Sequence, residues 1–376
     1  MDLRHSEKNL KASFEFNDYS FELMSRTQTL VCLREEGLYC PAGDFFIDPW
    51  KPVHKALVTH GHSDHARPYM DAYLTSSSGL PIVRERVGRT AHIEGLDYGQ
   101  TLKINEARVS FHPAGHLLGS SQIRIEHKGF VCVVGGDYKL EEDRSCEAFE
   151  CVPCDQFITE STFALPIYSW EPSDSVFQSI NEWWRQNEEA GLTSVLFAYA
   201  LGKAQRVLCG LDPSIGRIGV HGAVDTFNKH YLAAGYPIPE TVRASRNTKE
   251  QFKGKGIIIA PGSTQNSPWL KQFGERSEAF VSGWMTVRGS RRRRGLDRGF
   301  VLSDHVDWKG ILKAVEGTGA EFIGVTHGYA DALVRWLKET EGKTAYELNT
   351  LYHAIASGED EDCLLYTSDA ADDVEC

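Results

Sequence analysis

The chain has 376 residues, a formal net charge of −12 and nine scattered Cys, which excludes a disulfide scaffold and suits a reducing, cytoplasmic setting. A hydrophobic share of 41% with 24% charge fits a soluble globular protein of one large domain or two, with no membrane-length apolar run and no signal-peptide core. The acidic balance argues against general nucleic-acid affinity but leaves room for a local basic groove.

Residues 1–35 are polar and unpatterned and read as a loosely attached extension. From Gly37 short β-like runs follow: Asp44–Ile47, Lys55–Thr59, Arg108–His112, Gln122–Glu126 and Phe130–Gly135, separated by Gly, Pro and Asp. Residues 173–189 predict an amphipathic helix capped by Ser173 or Asp174, with Val176, Phe177, Ile180, Trp183 and Trp184 on its core face. Strand Ser194–Ala198, helix Gly202–Gly210 and strand Gly256–Ala260 continue an alternating α/β pattern. After Arg298 a second strand-and-helix series ends near Glu341. Cys151-Val-Pro-Cys154 has no second pair and reads as a loop. The stretch CLLYTSDAADDVEC from Cys363 is acidic, follows no period and looks like translated read-through of a foreign DNA end.

Directly after the apolar run Lys55–Val58, the stretch THGHSDHARP crowds His60, His62, Asp64 and His65 into six positions. A lone His at a strand end is usually satisfied by one hydrogen bond; four metal-type side chains at this spacing are not. His60 and His62 are two apart on an extended segment and face one side, and Asp64 with His65 is expected to open a helix. Asp48, His116, Asp137 and His327 each stand at the C-terminal edge of another β-run, where α/β scaffolds build sites. Together they supply imidazole and carboxylate donors for two metals.

These residues, in this order, resemble the metallo-β-lactamase superfamily, whose signature is H-x-H-x-D-H followed by a distant His and Asp. The resemblance implies His60, His62 and His116 on one metal, Asp64, His65 and His327 on the second, Asp137 between them, and Asp48 orienting a ligand His. Zinc is the metal implied, with manganese as the alternative. The segments FITEST (Glu160), LGKAQ, VLSDH (His305) and VTHG (His327) after a long insertion resemble the β-CASP nuclease branch. The fold implied is an αββα metallo-β-lactamase sandwich with an inserted α/β β-CASP domain. Its parts fall at 36–170, an insertion at 171–287 and a return at 288–345, with 346–376 a disordered or partly non-native tail.

GLYCPAGDFFIDPW, HPAGHLLGS, FITESTFALPIY, FAYALGKAQR and RGFVLSDHVDW resemble the bacterial ligase-associated DNA exonucleases, which are similar to Artemis-type repair nucleases. That resemblance implies phosphodiester hydrolysis by hydroxide activated between two metals, on single-stranded or end-containing DNA, beside a DNA ligase and a helicase, in the cytoplasm at the nucleoid. His327 as third motif is the pattern of RNA-cutting members, so an RNA-processing nuclease is the alternative. The catalytic set expected is Asp64, Asp137, Glu160 and His305, with His305 the general acid and Glu160 its tuner. Lys203 and the run Arg291, Arg292, Arg293 and Arg294 are expected to meet phosphates, since arginine forks match phosphate oxygens.

Overall fold

The structure is a computed structural model that describes residues 30–287 and 295–350. A first sheet runs β1 (Cys32–Leu33), β2 (Leu38–Cys40), β3 (Phe45–Ile47), β4 (Ala56–Leu57), β5 (Tyr73–Ser76) and β6 (Ile93–Leu96), in that spatial order. Leu30 and Val31 are buried and β1 pairs with β2. Residues 30–35, expected in the loose extension, therefore belong to the packed sheet; a two-residue strand is too short to show a period. Helix α1 (Leu80–Val87) covers the outer face, where Val83 packs with Ala56, Val58 and Tyr73.

The second sheet starts with β7 (Leu102–Ile104), β8 (Ala107–Pro113), β9 (Ser121–His127) and β10 (Phe130–Val134), an antiparallel run that β11 (Gln156–Ser161) joins in parallel. Alternate residues of these strands point inward. Val109, Phe111, Ile123 and Ile125 thus meet Phe45, Ile47 and Leu57 of the first sheet in one apolar layer.

The chain then builds a third sheet. It passes through α2 (Ser173–Glu189), β12 (Thr193–Phe197), α3 (Lys203–Gly210), β13 (Ile218–Val220), α4 (Gly222–Ala233), β14 (Val242–Arg243), β15 (Ile257–Ala260), β16 (Arg276–Val281) and β17 (Arg298–Phe300). The strand order is β14-β13-β15-β12-β16-β17, all parallel. The sheet reaches Arg298–Phe300, past residue 287, because β17 pairs with β16. The expected core face of α2 is buried, Trp183 and Trp184 included. Neither Ser173 nor Asp174 is its N-cap, which is Pro172; the Ser173 N–H and hydroxyl instead donate to Glu141, each at 2.9 Å.

Helix α5 (Trp308–Thr318), β18 (Phe322–Gly328), α6 (Ala330–Glu339) and β19 (Thr344–Glu347) return to the second sheet, whose order is β19-β18-β11-β10-β9-β8-β7. Ile311, Val315, Leu333 and Leu337 cover its outer face. The architecture is the expected αββα sandwich with an α/β unit inserted between β11 and β18. Among the described residues no helix is long and apolar enough to cross a membrane.

Candidate metal centre

The sandwich brings the strand-end residues to one place. His60, His62, His116 and Asp137 are buried, and one donor atom of each lies within 4.8 Å of the others. Asp137 sits at the centre. Its Oδ2 lies 3.4 Å from His60 Nε2, 3.4 Å from His65 Nε2 and 3.8 Å from His116 Nε2, and its Oδ1 lies 3.5 Å from His327 Nε2. Asp64 Oδ2 is 3.6 Å from His65 Nε2. The segment bearing Asp64 and His65 is a turn rather than the start of a helix: the N–H groups of His65 and Ala66 both return to the His62 carbonyl.

Outer hydrogen bonds fix the rings. His62 Nε2 donates to the Leu201 carbonyl at 3.0 Å and His116 Nδ1 to the Asp304 carbonyl at 2.9 Å. A carbonyl only accepts, so in each neutral ring the other nitrogen carries no proton. Those two bare nitrogens, His116 Nε2 and His62 Nδ1, lie 3.1 Å apart. Burial, with neighbouring imidazoles, lowers both rings, His62 to about 3 and His116 to about 4, so protonation does not relieve the facing lone pairs. His60 Nε2 is buried without a hydrogen bond among the described residues. A cation is the partner that such a set of lone pairs and a central carboxylate fits.

Asp48 governs two rings at once. It accepts from Thr59 N (2.8 Å), Thr59 Oγ1 (2.6 Å) and His65 Nδ1 (2.7 Å). Thr59 Oγ1 gives its one proton to Asp48, so it accepts from His60 Nδ1 at 3.0 Å and leaves His60 Nε2 bare. The Asp48 backbone has φ +43, a conformation rarely adopted outside glycine. Asp48→Ala is expected to weaken metal binding about 10–100-fold, read by competition titration with a chromogenic chelator; wild-type affinity would remove Asp48 from this role.

His65 differs from His60. Burial opposes its charge, but Asp137, Asp64 and Asp48 hold its pKa well above the usual value, so a cation taken up there would displace a proton. His305 stands beside the cluster, with Nδ1 2.9 Å from Glu160 Oε2 and its ring 4.7 Å from that of His116. Glu160 Oε1 accepts from Tyr138 N at 2.9 Å, which fixes the carboxylate plane. The Trp170 indole holds the His305 carbonyl at 2.9 Å.

Lys203 lies near the site with its Nζ 3.0 Å from Asp304 Oδ1. Arg291, Arg292, Arg293 and Arg294 lie outside the described residues. Three residues that were not expected in the site join the neighbourhood. Asp304 orients His116 through its carbonyl, and Lys139 and Arg206, both buried, donate to the Ser303 carbonyl. Only the adjacency of Asp304 to His305 could have pointed to the first. Gly115, at φ +75, allows the His116 loop to touch the next one, since a Cβ there would stand 2.2 Å from the Lys139 carbonyl.

The chain is 30% identical over 307 residues to a probable DNA ligase of Opitutus terrae, covering 81% of this chain and 30% of that protein. It is 27% identical over 296 residues to the endoribonuclease YSH1 of Eremothecium gossypii, covering 74% of this chain and 37% of that one. The same enzyme of Kluyveromyces lactis matches at 32% over 242 residues, 61% of this chain and 31% of the relative. The chain thus spans about a third of the length of these curated relatives. Among solved structures, a protein of unknown function from Enterococcus faecalis superposes with a TM-score of 0.52 at 12% identity, over 72% of this chain and 74% of that one, a likeness of fold alone. No family model matches the chain.

Proposed function

From the premise that the chain belongs to the metallo-β-lactamase superfamily, in its β-CASP branch, we propose that it is a two-metal nuclease, an exonuclease that trims DNA ends beside a ligase. One observation carries the hydrolytic reading: proton-free imidazole nitrogens converge on Asp137 next to a carboxylate-paired His305. His60, His62 and His116 would hold one metal, Asp64, His65 and His327 the other, with Asp137 between. Imidazole and carboxylate donors suit zinc and accept manganese. Two such cations would neutralise a phosphodiester and acidify a water at neutral pH.

The chain's own residues supply the rest. The Glu160 carboxylate keeps His305 protonated at Nδ1 and holds the ring against the site. As a water oxygen that has lost its proton to solvent bonds to phosphorus and the bond from phosphorus to the 3′ oxygen breaks, His305 gives that 3′ oxygen its Nε2 proton while Nδ1 stays with Glu160, leaving a 3′-hydroxyl and a 5′-phosphate. Asp48 and the Leu201 and Asp304 carbonyls keep the donor nitrogens facing inward.

Similarity to a probable DNA ligase supports DNA as substrate and ligation as the neighbouring step. Similarity to endoribonucleases, with a His at position 327, favours the second reading, RNA processing. The test is digestion of matched single-stranded DNA and RNA oligonucleotides, labelled at either end, with His62→Ala as control. Stepwise loss of DNA from its 5′ end is expected, and the variant should be inert. Preferential cutting of RNA would replace the DNA reading, and a metal-loaded protein that cuts neither would sink both.

A further inference from the structure

Helix α3 belongs to the inserted unit, yet one of its side chains reaches under the metal centre. Arg206 is wholly buried. Its Nη1 donates to the Ser303 carbonyl at 3.3 Å, and its Nη2 to the carbonyls of Gly115 at 3.2 Å and His116 at 3.1 Å. Its Nε lies 3.3 Å from Asp143 Oδ2. Three loops meet on this guanidinium. The one after β8 carries His116, the one after β10 carries Asp137 and runs on to Asp143, and the one after β17 carries Asp304 and His305. One turn earlier on α3, Lys203 binds the Asp304 carboxylate, and the Asp304 carbonyl accepts from His116.

We propose that Arg206 is a positioning residue: through it the inserted unit sets the separation of the His116 and His305 loops and so assembles the metal centre. A planar fork that reaches carbonyls on two loops fixes their distance and angle together, which the point charge of a lysine does not do. Lys203 belongs to the same device, because moving Asp304 moves the acceptor of His116. The inference rests on the two-metal reading of the site and is independent of which nucleic acid is cut.

The test is Co²⁺ titration of metal-free protein, followed by visible absorption, for wild type, Arg206→Lys and Lys203→Gln. Arg206→Lys is expected to weaken one of two Co²⁺ sites about 10–100-fold, as loss of an outer-sphere partner does, and to shift its absorption bands. On a strand that wild type cuts, kcat should fall with KM little changed. A variant that melts lower but binds both ions with wild-type affinity and spectrum would reduce Arg206 to a fold brace. Should Arg206→Lys fail to fold, Lys203→Gln decides. A weakened, spectrally altered site supports the proposal, whereas unchanged Co²⁺ binding with a raised KM makes Lys203 a phosphate contact and overturns it. Unchanged binding with unchanged kinetics overturns it as well. Because cobalt binding needs no nucleic acid, wild-type protein that takes two ions and cuts nothing would sink the nuclease reading alone.

Discussion

His305→Ala is expected to slow strand cleavage by about 10²–10⁴-fold, the usual loss for a missing general acid, while the protein keeps its full metal content. Burial alone would lower the His305 pKa, but the Glu160 carboxylate, then Asp137 and Asp304, hold it up to about 10. The imidazolium therefore exists below that pH, and the acid is lost as pH rises through the folded value. Bound cations repel the same proton, so the alkaline limb of the wild-type rate profile lies below pH 10. His305→Ala should remove that limb. Glu160→Gln keeps the shape of the side chain but removes its charge, and should move the limb to lower pH. The rival role is structural, since His305 also lies in donor groups with His116 and Asp304, and with Asp137 and Glu160. Metal analysis of His305→Ala separates the two: depleted metal makes His305 a ligand or brace, and full metal with a collapsed rate makes it the acid.

How far this site could be seen in advance follows from how each residue is held. His60, His62, Asp64 and His65 share one short segment, so chain geometry alone brings them together. His116, Asp137 and His327 were legible only as a set, because each closes a β-run, and β8, β10 and β18 run in one direction, so their ends gather along one edge. The Glu160–His305 pair spans 145 residues and rested on family resemblance, not on any local pattern. Arg206, although it closes the quoted segment FAYALGKAQR, was given no role, and neither was Lys139. Their work is done on backbone carbonyls 90 and 164 residues away, and carbonyl acceptors carry no sequence signature. The fold shows the same limit. Strands β8 to β10 and helix α2 are long enough to display a period, whereas β1 and β19 are not. The pairing of β17 with β16 depends on a parallel crossover that residues 276–300 do not announce.

Asp137→Asn should cost the site more than any other single change. Burial would raise the Asp137 pKa, but the charges of His65 and His305 and a hydrogen bond with His327 hold it well below the usual carboxylate range, so the group is an anion at every working pH. It is the one carboxylate within 4 Å of His60, His65, His116 and His327 among the described residues. Neutralising it would remove the charge that the proposed arrangement places between the two metals. Metal content is expected to fall from two ions to one or none, and the rate by several orders of magnitude. Stability gives a second readout. The depressed pKa means that the anion stabilises the fold at every pH above its unfolded value, and an amide leaves the charges of His65 and His305 without their counter-ion, so the metal-free variant should melt below the metal-free wild type. Added metal should raise the melting temperature of the wild type far more than that of the variant, because only binding to the folded state stabilises it. Asp64→Asn sits at one end of the cluster and should lose a single ion. If Asp137→Asn still takes up two ions at wild-type affinity, the shared charge must come from elsewhere, and Glu160, grouped with Asp137 and His305, is the next carboxylate in reach.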